Sequence, residues 1–88
     1  MIVKIDKSFV KDTDRIKDKY LLNRIANCIN QAMNTDSLHS INGVKKIKGE
    51  TNYYRIRLGD YRIGLRLVGD SVIFIRALHR KEIYKYFP

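Results

Sequence analysis

The sequence predicts an α+β fold: a small twisted, mainly antiparallel sheet with two N-terminal helices packed on one face and a short C-terminal helix. Helical periodicity is confined to the first 34 residues, and strict alternation of polar and apolar residues runs through residues 53–67. Helices segregated from consecutive short strands are typical of this class. With 88 residues, 44% of them hydrophobic, and no linker or repeat, the chain is expected to form a single domain over residues 1–88.

The N-terminal part begins with a short predicted strand at residues 2–5, after which Asp6 or Ser8 can cap a helix. We expect two helices, at about residues 8–18 and 20–34, or one helix kinked near residues 18 and 19. An apolar stripe at helical spacing indicates packing on a sheet, and it consists of Leu22, Ile25, Ala26, Ile29, Ala32 and Met33. The lone Cys28 lies on this stripe and is expected to be a buried thiol.

The C-terminal part predicts four consecutive strands and a terminal helix. A polar loop leads to a short strand at residues 44–48, and two longer strands follow, joined by the turn at Gly59 and Asp60. A second turn precedes a strand at residues 71–78, which is apolar on both faces and is therefore expected to be central and covered on both sides. Residues 79–88 are expected to contain a short helix.

A two-residue turn also predicts the register of the hairpin. Its core face carries three cross-strand pairs, Leu58 with Tyr61, Ile56 with Ile63, and Tyr54 with Leu65. Its other face, expected to stay open and to be bordered by the C-terminal segment, carries Tyr53, Arg55, Arg57, Arg62, Gly64 and Arg66. Like charges directly opposite each other destabilise a sheet, so Arg57 opposite Arg62 predicts a polyanionic ligand.

The formal net charge of +9 points to nucleic acid, a membrane surface or an acidic protein as partner. Residues 44–66 contain seven basic and two acidic residues, so the excess lies on the predicted sheet, which argues against membrane binding. One cysteine and two histidines provide no zinc-site spacing, and no cofactor or metal is expected. Because the apolar N-terminal run is too short for a signal peptide, we expect a cytoplasmic protein.

Arginine on an open face can hold phosphate through paired hydrogen bonds and can stack on bases. Tyr53 adds a stacking surface, and Gly64 would let a ligand backbone approach closely. The alternative is a solvated basic surface whose arginines lie over neighbouring apolar groups.

Such a face can also cleave RNA, whose 2′-hydroxyl is its own nucleophile. Arginine suits charge stabilisation rather than proton transfer, so a base and an acid must come from other side chains. If residues 80–87 are helical, Arg80 and Tyr84 share a face, although Tyr84 can equally be a packing residue that anchors the helix.

Three segments together resemble the RelE/ParE superfamily of bacterial type II toxins: residues 54–62, the strand at 72–78, and residues 79–84. The similarity is greatest to its RelE-like mRNA interferases, ribosome-dependent endoribonucleases. The resemblance implies a small twisted sheet with two helices on one face. It also implies metal-free cleavage of mRNA in the ribosomal A site and a partner antitoxin, expected to be acidic, in a hetero-oligomer.

The resemblance also assigns residues. Arg62, Arg80 and Tyr84 correspond to catalytic positions, where the arginines would stabilise the phosphorane and Tyr84 would act as general base or stack on a base. Arg55 and Arg57 correspond to the family's basic pair on the strand before the hairpin turn and are expected to contact RNA. Arg66, Lys48 and His79 are also expected to contact RNA, on their place in this sequence rather than on the resemblance. Some family members have lysine at positions 55 and 57; arginine cannot shift its pKa as lysine does, so proton transfer there is not expected.

Two other functions stay open at this point. The ParE-like branch has the same fold but inhibits DNA gyrase, as a binding protein rather than an enzyme. A non-catalytic RNA- or ribosome-binding module, including a degenerate toxin, would bind with a steep salt dependence and cleave nothing.

Overall fold

A computed structural model describes residues 1–88 and confirms the α+β class. The elements are β1 (Ile2–Ile5), α1 (Lys7–Asp14), α2 (Lys19–Met33), a 3₁₀ turn (Leu38–Ser40), β2 (Val44–Lys46), β3 (Tyr53–Leu58), β4 (Tyr61–Val68), β5 (Ser71–His79) and α3 (Ile83–Tyr86). None of the helices has the length and apolar character that crossing a membrane requires.

The five strands form one sheet in the order β1-β5-β4-β3-β2, in which only the β1–β5 pair is parallel. The strand predicted to be central, β5, is an interior strand flanked by β1 and β4, whereas β4 lies at the middle of the sheet. Val72 and Phe74 on one face of β5 are buried, while Ile73 and Ile75 are only partly covered. The expectation of full cover on both faces is therefore met on one face alone.

The predicted hairpin register is confirmed, including Arg57 directly opposite Arg62. Gly59 has a φ of +57° while Asp60 is not in the positive region, which is the pattern of a type II′ turn with glycine first. This turn matches the right-handed twist of the strands, so the two-residue connection determines which side chains face each other.

Two separate helices form, rather than one kinked helix. Asp6 caps α1 by accepting from the Ser8 N–H at 3.1 Å, and α1 ends at Asp14, before the predicted residue 18. Asp18 caps α2 by accepting from the Tyr20 N–H at 2.9 Å. A carboxylate that caps a new helix cannot lie inside the preceding one, so the chain turns between the two.

The face of α2 that packs on the sheet differs from the predicted stripe. The buried residues are Leu21, Ile25, Cys28 and Ala32, whereas Met33 is 51% exposed and Ala26 is also exposed. Cys28 is buried, as expected. The four buried side chains join a cluster of 15 buried residues between the helices and the sheet.

Helix α1 covers the part of β5 that β1 does not reach, because the parallel pairing ends at Phe74. The Ser8 hydroxyl donates to the Ile75 carbonyl at 2.6 Å. The buried Asp12 accepts from the Ala77 N–H at 2.9 Å and from the Arg76 guanidinium at 2.8 and 3.1 Å. Backbone groups of an otherwise open sheet edge are thereby satisfied by side chains of one helix.

The opposite face of the sheet is partly closed by the C-terminal segment. Ile83 and Phe87 are buried there, outside the main core cluster. The Phe87 ring lies over Gly64, where an added Cβ would come within 2.7 Å of the ring. The expectation that Gly64 admits a ligand backbone is therefore wrong, since this chain's own phenyl ring occupies the space. The terminal helix is also shorter than the predicted residues 80–87.

Candidate nucleic-acid interface

Arg62 on β4 is the centre of a cluster of positive charge. The pKa of Arg62 is lowered, chiefly by burial and then by the charges of Arg57, Arg55 and Arg80. Tyr84 raises it. Its Nη1 donates to the carbonyls of Gly59 at 2.7 Å and Tyr61 at 2.9 Å. One edge of the guanidinium is thereby fixed by the turn, and both of its partners are neutral carbonyl groups.

Arg80 reaches this cluster because it follows the end of β5 beside the hairpin turn. Its backbone N–H donates to the Asp60 carbonyl at 2.7 Å. Its Nε lies 3.8 Å from the Asp60 carboxylate, and the two side chains are 56% and 72% exposed. An exposed pair at this distance is weak, so an incoming phosphate can replace Asp60 as the partner of Arg80.

Gly43 holds Arg55 and the backbone of Arg57 with a single carbonyl. That oxygen accepts from Arg55 Nη1 at 2.9 Å and from the Arg57 N–H at 3.1 Å. Gly43 has a φ of +79°, and an added Cβ would lie 2.9 Å from the Arg57 carbonyl oxygen. Glycine is required here by both backbone conformation and close approach, which gives it a positioning role that the sequence did not indicate.

Tyr84 on α3 is 60% exposed and forms one wall of an open groove of about 490 Å³ beside β2. The remaining lining residues are Lys45, Lys46, Ile47, Lys48 and Arg55. We call this the β2 groove. The predicted residues Arg55, Arg57, Arg62, Arg80 and Tyr84 therefore lie in one region, with Lys48 in the adjoining groove.

Two of the residues predicted to contact RNA lie elsewhere. His79 pairs with Tyr61, its ring lies 5.7 Å from that tyrosine's ring, and it lines a cavity with Arg15 beside α1. It is thus on the helix-covered side of the sheet. Arg66 shares the open face but lies over the Tyr53 ring at 5.3 Å, away from the groups that act on Arg62.

Lys45 is a member of the basic face that sequence reasoning missed. It pairs directly with Arg55 across β2 and β3, so the two side chains emerge on the same face. Treating residues 44–48 and 53–58 as a second hairpin would have predicted this pairing. No three His, Cys, Asp or Glu side chains lie close enough together to hold a metal ion.

Comparisons with known proteins agree on one family. The family model described as the ParE toxin of type II toxin–antitoxin systems, parDE, matches residues 3–84. Toxin RelE3 of Methanocaldococcus jannaschii is 48% identical over 89 residues, covering 100% of both chains. In the crystal structure of the RelB–RelE antitoxin–toxin complex from Methanococcus jannaschii, a chain 47% identical matches with a TM-score of 0.84, covering 97% of this chain and 99% of that one.

A more distant structure has the same fold. A chain of the toxin–antitoxin complex RelBE2 from Mycobacterium tuberculosis matches with a TM-score of 0.71 at 18% identity, over 90% of this chain and 96% of that one.

Proposed function

This chain belongs to the ParE toxin family of type II toxin–antitoxin systems, in its RelE-like group, and we propose that it is an endoribonuclease that cleaves mRNA during translation. The observation that carries the proposal is the convergence of Arg55, Arg57, Arg62, Arg80 and Tyr84 on one region of the open face. The four guanidinium groups have one weak acidic partner, so a bound anion would relieve their mutual repulsion.

In the proposed reaction, the 2′-hydroxyl of the RNA attacks the adjacent phosphorus. A bond forms from O2′ to phosphorus and the bond to O5′ breaks; the O2′ proton passes to a base and O5′ takes up a proton from an acid or from water, which leaves a 2′,3′-cyclic phosphate and a 5′-hydroxyl. Negative charge builds up on the non-bridging oxygens of the phosphorane. Arg62 and Arg80 flank the turn and can donate to those oxygens.

Arg55 and Arg57 are proposed to hold the RNA backbone next to the reacting phosphate. Tyr84 is proposed to take up a proton as general base or to stack on a base, and its exposure leaves the ring accessible for stacking. His79 and Arg66 are not included, because the first lies on the helix side and the second over Tyr53.

The proposed partners are translated mRNA in the ribosomal A site and an antitoxin, and the location proposed with them is the cytoplasm. A RelB antitoxin is bound in the solved complex from Methanococcus jannaschii. For this chain, with its net charge of +9, we propose an acidic antitoxin segment that covers the arginine face. Such an association should be fast and should weaken as salt rises.

The test is primer extension on cellular mRNA after brief induction of wild type, Arg62→Ala and Arg66→Ala. Both substitutions remove one arginine from β4, but Arg66 lies outside the cluster. Removing one charge-stabilising donor costs about 10²–10³ in rate, so Arg62→Ala should lose the codon-phased cuts and Arg66→Ala should keep them. Cuts and toxicity that persist in Arg62→Ala at equal expression would contradict the site.

Gyrase inhibition is the second candidate, because the family model that matches describes ParE toxins. In that case induction would arrest growth and trigger a DNA-damage response while mRNA stays intact. If induction causes neither growth arrest nor mRNA cuts, the protein is a basic module that binds RNA without cleaving it.

A further inference from the structure

His79 lies where β5 ends and the chain turns towards α3. It is half-buried, and its ring lies edge-on to the ring of Tyr61, its partner in the neighbouring strand, with centroids 5.7 Å apart. The Nδ1 atom of the imidazole accepts from the backbone N–H of Lys81 at 3.1 Å. A side chain that accepts from the N–H two residues ahead closes a turn in the way that Asn and Asp do in an Asx turn.

The turn of residues 80–82 takes two of its three backbone acceptors from His79. The Lys81 N–H donates to the His79 ring, and the Glu82 N–H donates to the His79 carbonyl at 2.8 Å. The Arg80 N–H donates to the Asp60 carbonyl at 2.7 Å. Because α3 begins after Glu82 without a side-chain capping bond, this turn determines the direction in which the helix starts.

Two residues of the proposed cleavage site depend on this turn. Successive side chains of a strand point to opposite faces, so His79 lies on the helix side and Arg80 on the open face. The Cα of Arg80 lies between two hydrogen-bonded amides, its own and that of Lys81. Its guanidinium has a weak contact at 3.8 Å with the exposed Asp60 carboxylate, so the backbone does most of the positioning. Tyr84 follows four residues later.

The hydrogen bond also determines which tautomer the imidazole adopts. A ring nitrogen that accepts carries no proton, so His79 is neutral and has its proton on Nε2. The ring lines a cavity beside α1, on the other side of the sheet from the arginine face. An effect of His79 on the reaction must therefore pass through the backbone of the turn.

We propose that His79 is a positioning residue for the cleavage reaction: its neutral Nδ1 fixes the turn of residues 80–82, and the turn places Arg80 against the reacting phosphate. This inference rests on the proposed ribonuclease function and adds to it a residue that does not touch the RNA.

Two substitutions at His79 separate the hydrogen bond from the ring. In His79→Asn, Oδ1 is the same number of bonds from Cα as the Nδ1 that it replaces, and asparagine forms this kind of turn readily. In His79→Gln, the carbonyl oxygen is one bond farther out, as Nε2 is. Both variants lose the ring contact with Tyr61, so a difference between them reports the hydrogen bond to Lys81.

Cleavage would be measured as a single-turnover rate constant on mRNA-programmed ribosomes, with the toxin in excess. His79→Gln should slow cleavage by about 10–10²-fold, since misplacing a catalytic group by about 1 Å costs up to about 10²-fold. His79→Asn should cleave at close to the wild-type rate. In an Arg80→Ala background His79→Gln should have no further effect, whereas a general loss of folded protein would slow both backgrounds by the same factor.

Amide hydrogen exchange, followed by NMR, reads the turn without cleavage. The Lys81 N–H should exchange slowly in wild type and His79→Asn and fast in His79→Gln. The control is the Leu67 N–H, which donates to the Asn52 carbonyl at 2.8 Å near the other end of β4 and should stay protected in all three proteins.

Equal cleavage rates in wild type and His79→Gln, or a His79→Asn variant as slow as His79→Gln, would overturn the positioning role. Additive effects of His79→Gln and Arg80→Ala would overturn it too. If wild type does not cleave, the ribonuclease proposal fails instead. Loss of Lys81 protection in His79→Gln alone would then retain the contact that fixes the turn, and equal exchange in all three proteins would refute that contact as well.

Discussion

Gly64→Ala is expected to destabilise the protein by displacing the C-terminal segment from the sheet. The new Cβ would lie 2.7 Å from Cδ2 and Cε2 of Phe87 and 2.8 Å from its Cγ. Ordinary carbon contacts are about 3.5–4.0 Å, so the ring would have to retreat by roughly 1 Å. It has little room to do so, because it is 2% exposed and packs edge-on against Tyr53 at 5.5 Å.

Two routes give similar costs for this substitution. If the ring stays and the packing strains, overpacking costs about 1–3 kcal/mol. If the ring leaves, the lost burial of a phenylalanine side chain costs about 1.5–3 kcal/mol. A cost of about 2 kcal/mol in a chain of 88 residues, with an unfolding entropy of about 2.1 cal/mol/K per residue, lowers Tm by about 11 °C.

The assay is thermal unfolding of wild type, Gly64→Ala, Phe87→Ala and the double variant. Without the ring, alanine should be better than glycine inside a strand by about 0.5–1 kcal/mol. The effect of Gly64→Ala should therefore change sign in the Phe87→Ala background. Equal effects of Gly64→Ala in both backgrounds, or an unchanged Tm in the single variant, would refute the packing of Phe87 on Gly64.

Two further predictions concern buried groups of the helical layer. Asp12→Ala leaves the Arg76 charge and the Ala77 N–H without their partner, so chemical denaturation should show that the free energy of unfolding falls by about 3 kcal/mol. The control, Asp14→Ala, changes an exposed carboxylate on the same helix and should have little effect. Equal losses in the two variants would contradict the role of Asp12. Burial raises the pKa of the Cys28 thiol, so thiolate is scarce at pH 8. Iodoacetamide should therefore alkylate the native protein far more slowly than the urea-unfolded chain. Similar alkylation rates would show that the thiol is accessible in the native protein.

Local sequence determined the hairpin completely. The Gly59 turn and the period-two alternation are short-range features, and together they predicted which residues pair and that Arg57 faces Arg62. Family resemblance, carried by the same segment and the C-terminal residues, is confirmed by the comparisons. Helix start signals were equally local, since Asp6 and Asp18 cap with their own side chains.

The packing face of α2 was predicted less well. Apolar side chains at Leu22, Ala26 and Met33 extend the stripe around the helix, so sequence periodicity allows several rotations about the helix axis. Contact with the sheet selects the one that buries Leu21 and Cys28. Rotation is a property of the interface between two elements, and no single element encodes it.

The sequence by itself determined the strands, the hairpin register, the basic face and the family. Tertiary structure alone decided two placements: Phe87 lies on Gly64, and His79 lies on the helix side of the sheet. The difference has a physical cause. Turn chemistry and residue periodicity act along one strand or hairpin, whereas these two placements depend on contacts between segments distant in the sequence, which form only when the helices, the sheet and the C-terminal segment pack together.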